Sequence, residues 1–108
     1  MAHDRQPVVT GRALLDELQD AHSLQVVDFD GDGHLDVFVA EMQLGKNPSP
    51  GAWLLRGDGK GGFERRELLR GFGLHEARVA DLDGDGRKDI LAKPYMWRAP
   101  RVDLFLGR

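Results

Sequence analysis

The chain has 108 residues, 41% hydrophobic and 31% charged, with no cysteine and a formal net charge of −3. That length and composition fit one ordinary soluble domain. They exclude disulfides and thiol catalysis. No apolar run is long enough for a helical membrane span, and no basic stripe supports nucleic-acid binding.

In chain order, Met1-Ala2-His3-Asp4-Arg5-Gln6 is polar and carries no signal-peptide pattern. Asp4-Arg5-Gln6-Pro7-Val8-Val9-Thr10-Gly11 resembles Glu64-Arg65-Arg66-Glu67-Leu68-Leu69-Arg70-Gly71. Residues 1–11 are therefore expected to form a strand of the same kind, displaced from the far end of the chain. In residues 12–21, Leu14, Leu15 and Leu18 have helical spacing and predict a short helical insertion. From His22 onward the chain reads as a repeated unit, 22–71 and then 72–108. The first unit has strands over 23–28, 35–42, 52–56 and 63–69, the last two joined by the hairpin Gly57-Asp58-Gly59-Lys60-Gly61-Gly62. The second has strands over 76–81, 88–93 and 102–106 and then stops.

The repeat is plainest between the first two strands of each unit. Asp28-Phe29-Asp30-Gly31-Asp32-Gly33-His34-Leu35-Asp36 returns 53 residues later as Asp81-Leu82-Asp83-Gly84-Asp85-Gly86-Arg87-Lys88-Asp89. Four carboxylates stand at positions 1, 3, 5 and 9, and glycines at 4 and 6 permit the sharp turns. Short Asp side chains spaced by two converge on one point, as a hard cation such as Ca2+ requires, with six to eight oxygens at roughly 2.3–2.6 Å. The position-7 carbonyls, of His34 and Arg87, are expected to add an oxygen each. An EF-hand needs a bidentate Glu at position 12 and helical flanks; here position 12 is Val39 or Ala92, and the flanks read as strands. An Asp/Gly turn that binds nothing would explain one copy better than two in register.

D-x-D-G-D-G-x-x-D between two strands resembles the FG-GAP/VCBS repeat, the blade unit of integrin-type β-propellers. The resemblance covers nearly the whole chain. It implies an all-β fold of two four-stranded blades and two Ca2+ per chain, held by Asp28, Asp30, Asp32, Asp36 and by Asp81, Asp83, Asp85, Asp89. Two Ca2+ would bring the formal charge from −3 to about +1, so the acidity belongs to the loops. It also implies an extracellular or cell-surface setting, with glycan or protein ligands. The departure is in number, since propellers have about four to eight blades.

Two blades leave apolar faces bare, and repeat units need neighbours. The expected solution is a head-to-tail homo-oligomeric ring in which residues 1–11 of one chain complete the last blade of the next. Three chains would give six blades and four would give eight. A fragment of a longer propeller is the alternative.

His22 and His75 open the inner strands, at the end opposite the cation loops. The connections near Glu41 and Lys93-Pro94-Tyr95-Met96-Trp97 lie at that same end. His22, Glu41, His75, Lys93, Tyr95 and Trp97 are therefore candidates for binding a carbohydrate at the mouth of a ring, although packing of Tyr95 and Trp97 between blades, with the histidines bonded to backbone, is the simpler explanation. A Zn2+ site on the two histidines lacks a third ligand. No nucleophile–base–acid set is recognisable, which favours a non-enzymatic scaffold or binding module over a piece of a polysaccharide lyase-like enzyme. A chain made to study propeller assembly would carry near-identical repeats, and these diverge outside the loops. Arg56-Gly57-Asp58 matches an integrin-recognition tripeptide, but it falls where a strand ends in a turn.

Overall fold

The computed structural model describes residues 7–42, 48–94 and 101–108. The described residues form two antiparallel sheets and no helix. The first sheet has the order β1 (Ala21–Val27), β2 (Asp36–Glu41), β3 (Gly51–Gly57) and β4 (Phe63–Arg70). The second has β5 (Leu74–Ala80), β6 (Asp89–Pro94) and β7 (Asp103–Phe105). Each is a meander of consecutive hairpins, the local pairing that short loops between alternating strands dictate.

The inner strands start earlier than the sequence pattern implied, at Ala21 and Leu74, because each absorbs a register shift. Pairing passes from Ala21↔Glu41 to Ser23↔Ala40, and from Leu74↔Pro94 to Glu76↔Lys93. The extra residues are His22 and His75, so both histidines sit at equivalent bulges.

The registers fix how the two sheets correspond. Val37 pairs with Leu55 and Ile90 with Phe105, so the third strands are offset by 50 residues where the first two are offset by 53. On this basis Trp53 corresponds to Asp103, Leu54 to Leu104, Arg56 to Leu106 and Gly57 to Gly107.

The core lies between the sheets. Phe38, Ala40 and Ala52 of the first pack with Leu74, Ala77, Val79, Ile90 and Ala92 of the second. β1 and β5 run beside one another and are joined through side chains. Ser23 Oγ accepts from the Ala77 N–H at 3.0 Å. The Gln25 carboxamide accepts from the Val79 N–H and donates to the Val79 carbonyl, both at 2.8 Å. A side-chain amide thus satisfies backbone groups that the edge of the second sheet would otherwise leave bare.

The outward faces of the two sheets are only partly covered: on the first, Val39, Trp53 and Leu55 are buried while Leu24 and Val26 beside them on β1 are exposed. Leu24 is 71% exposed where its counterpart Ala77 is 2%, and Val26 is 60% where Val79 is 4%. Leu91 and Leu104 are exposed where their counterparts Phe38 and Leu54 are buried.

Two expectations need adjustment. Residues 12–20 carry no helix, and Ala21 already belongs to β1. A helix of two turns is marginal by itself, and the segment is instead tied to the first sheet at separate points. Arg12 donates to the Gly61 carbonyl, Glu17 lies 3.9 Å from Arg65, and the Gln19 N–H donates to Glu41 at 2.6 Å. Residues 7–11 form no strand within the chain, and Val8 and Val9 are exposed. Residues 1–6 of that expected strand lie outside the described residues.

Gln25→Ala removes both bonds to Val79 and leaves a buried N–H and C=O without a protein partner. The expected loss is about 1–3 kcal/mol in urea unfolding; an unchanged midpoint would show that the bridge adds nothing to the packing of the two sheets.

Candidate metal centre

Each Asp/Gly loop is a β-hairpin tip folded around its own first aspartate. Asp28 Oδ1 accepts from the N–H groups of Gly31 (2.9 Å) and Asp32 (3.2 Å), and its Oδ2 from Gly33 (2.9 Å). Asp81 does the same with Gly84 (2.9 Å), Asp85 (3.2 Å) and Gly86 (2.8 Å). The loops need positive φ at the glycines, 75° and 89° at Gly31 and Gly33, 76° and 88° at Gly84 and Gly86. Only glycine adopts these angles without strain.

In this frame one carboxylate oxygen from each of Asp28, Asp30 and Asp32 lies within 4.8 Å of the others, and likewise for Asp81, Asp83 and Asp85. Oxygens sharing one Ca2+ at about 2.3–2.6 Å can be no more than roughly 5 Å apart, so each trio fits one ion. The donors are all hard oxygen, which suits Ca2+ over softer metals. The backbone N–H groups of His34 and Arg87 donate to Asp32 and Asp85 at 2.9 Å, and both side chains are exposed.

The fourth carboxylate of each set is held differently. Asp36 and Asp89 are fully buried and stand outside the trios. Asp36 accepts from the N–H groups of Phe29 and Gly57, and Asp89 from those of Leu82 and Gly107, all at 2.9 Å. Each clasps the base of its loop to the end of the third strand. Burying a carboxylate is tolerable because two amide donors replace its water. Gly57 and Gly107 are residues the sequence reading missed. A Cβ at either would run into the carbonyl oxygen of Leu35 or Lys88. The available signal was a glycine ending the third strand of both units.

The loops differ in their electrostatics. At Asp30 desolvation pushes the carboxyl up, but the Asp32 N–H and the Arg56 guanidinium outweigh it and hold the group below the ordinary Asp value. At Asp83 desolvation again pushes upward, the Asp85 N–H opposes it, and the Asp85 and Asp89 carboxylates add to it, so the group lies above its ordinary value. Arg56 meets Asp30 Oδ2 through Nε at 2.9 Å and through its terminal nitrogen at 2.7 Å. Asp58 is held low by the N–H groups of Lys60 and Gly62, which close the β3–β4 hairpin. Arg56-Gly57-Asp58 is thus engaged locally along its whole length.

At the opposite end the bulges bring His22 and His75 together. Their rings stack at 4.6 Å between centroids and 22° between planes, and His22 Nδ1 bonds to the His75 carbonyl. Lys93 is exposed nearby, paired in register with Glu76. Glu41 is not an open ligand, contrary to expectation. It is buried, and its oxygens accept from Gly51 at 2.9 Å and Gln19 at 2.6 Å, because the chain on either side needs acceptors for its amides. Tyr95 and Trp97 lie outside the described residues.

The N–H groups of Gly107 and Leu82 hold Asp89 below its ordinary value. A depressed folded value stabilises the fold above the ordinary Asp value near 4, and that stability drains away as pH falls through the depressed value. In EDTA, the melting temperature is expected to fall steeply below about pH 4, and Asp89→Asn should be less stable at pH 7 and flatten the fall. An acid profile identical to the parent's would remove Asp89 from this role.

The FG-GAP-like repeat family model matches residues 28–92, from the first aspartate of the first loop into β6. No curated protein and no solved structure matches the chain. The match spans more than half of the 108 residues and takes in both loops and the sheet interface between them; the chain belongs to the FG-GAP-like repeat family.

Proposed function

We propose that the chain is a Ca2+-binding, non-enzymatic binding module made of two propeller blades, and that it closes its ring head to tail with further copies of itself. The observation that carries the metal reading is that two loops 53 residues apart repeat one hydrogen-bond frame donor for donor, each converging three carboxylates within 4.8 Å. Asp28, Asp30 and Asp32 would hold one ion and Asp81, Asp83 and Asp85 the other. When bound, the ion neutralises carboxylates that otherwise repel and stiffens the hairpin.

Assembly draws its support from the two outward faces. The exposed Leu24 and Val26 match the buried Ala77 and Val79, while the exposed Leu91 and Leu104 match the buried Phe38 and Leu54. One copy therefore carries both halves of a contact whose complete form already exists within it. Such a heterologous contact closes into a ring at the right rotation. Glu76 and Arg78 would take the places that Ser23 and Gln25 hold inside the chain, making the contact between copies more charged. At the mouth, the stacked His22 and His75 with Lys93 would present polar groups suited to a glycan.

Calorimetric titration with Ca2+ is expected to give two ions per chain, with melting raised by Ca2+ and lowered by EDTA. Asp28→Asn and Asp81→Asn should each remove one ion. Absence of binding at millimolar Ca2+ would overturn the metal reading.

A further inference from the structure

The two loops share a frame but not a third-strand neighbour. Arg56 lies on β3 next to Gly57, and Gly57 is fixed against the first loop by its bond to Asp36. From there Arg56 places two nitrogens on Asp30 Oδ2, at 2.9 and 2.7 Å, with Asp32 Oδ2 at 3.9 Å. The other Asp30 oxygen accepts from the Asp32 N–H at 3.3 Å. Asp30 thus has both oxygens engaged before any ion arrives. In the second loop, Gly107 occupies the place of Gly57 and bonds Asp89 in the same way. The residue before it is Leu106, which offers no charge, and among the described residues Asp83 takes the Asp85 N–H but no guanidinium.

From this asymmetry, and resting on the reading of both loops as Ca2+ sites, we infer that Arg56 is a tethered competitor for the first site. It occupies the Asp30 oxygen when the ion is absent and makes the first loop the weaker of the two. An ion entering the first loop must displace a guanidinium from a carboxylate and then tolerate its charge close by. An ion entering the second meets a carboxylate, Asp83, whose charged neighbours are Asp85 and Asp89. No guanidinium is bonded to it among the described residues, although Arg87, Lys88 and Arg108 lie around the loop. The second loop therefore fills first. The first loop carries a built-in counter-charge and keeps its shape at Ca2+ levels too low to load it. A released Arg56 has a partner at hand, since its cross-strand neighbour in register on β4 is Glu64. The Arg56–Asp30 pair is partly exposed, with side-chain exposures of 34% and 29%, so its effect is moderate and screened by salt.

The test isolates each loop in the full-length chain. With the second loop silenced by Asp81→Asn, Arg56→Leu is expected to tighten Ca2+ binding by roughly three- to tenfold. With the first silenced by Asp28→Asn, Leu106→Arg is expected to weaken it by a similar factor. Arg56→Leu should narrow the gap between the two sites in the otherwise unaltered chain. As an independent readout, the Arg56 Nε–H resonance should move on Ca2+ addition in Asp81→Asn and stay still at the first equivalent in the unaltered chain. Two ions bound with equal affinity and unchanged by Arg56→Leu would overturn the inference while leaving the sites intact. Weaker binding on Arg56→Leu would also overturn it, showing that Arg56 organises the loop. Failure of the unaltered chain to bind Ca2+ by calorimetry would overturn this inference and the metal reading together.

Discussion

The bonds from Asp36 and Asp89 to backbone amides are the constraint on which the rest depends. Each buried carboxylate joins the loop at Phe29 or Leu82 and the start of the second strand to a residue farther along the chain, Gly57 at the end of β3 or Gly107 just beyond β7. The clasp fixes the base of the loop, so the three outer aspartates converge by default. It also sets the third strand against the loop closely enough that only glycine fits beside the Leu35 or Lys88 carbonyl. A carboxylate in this position is stable only with both donors present, so loop and third strand form as one unit. The same geometry brings Arg56 to Asp30 in one copy and leaves Leu106 in its place in the other.

A second constraint acts between the sheets. The described residues contain one junction between sheets. Within it, small and β-branched residues of β5 and β6 meet Phe38, while Ser23 and Gln25 satisfy the backbone of β5. The outward faces keep part of the apolar pattern of that junction, exposed at Leu24, Val26, Leu91 and Leu104 and buried at Val39, Trp53 and Leu55. Exposure of Leu24 beside burial of Ala77 is the expected result when stacked repeats run out of neighbours.

Much of this was legible in the residues. The aspartate and glycine spacing gave both loops, because the turn chemistry and the short carboxylates leave few other solutions. Alternation and turn residues placed all seven strands to within a few positions, apart from the early starts at Ala21 and Leu74, where bulges at His22 and His75 depend on cross-strand register. The helix expected from Leu14, Leu15 and Leu18 did not form, since local spacing says nothing about whether a docking surface exists. The separate role of Asp36 and Asp89 was hidden by their place in the motif, because burial and amide donors arriving from a third strand cannot be read from a nine-residue pattern. Glu41 looked like an open polar residue for the same reason. Its acceptors serve amides ten and twenty-two residues away.

We propose that the two outward faces are halves of one contact that copies of the chain make with each other. Light scattering on a sizing column in Ca2+ tests it most directly. A species of three or four times 12.0 kDa is expected, completing six or eight blades. A stable monomer in saturating Ca2+ at high protein concentration would contradict it.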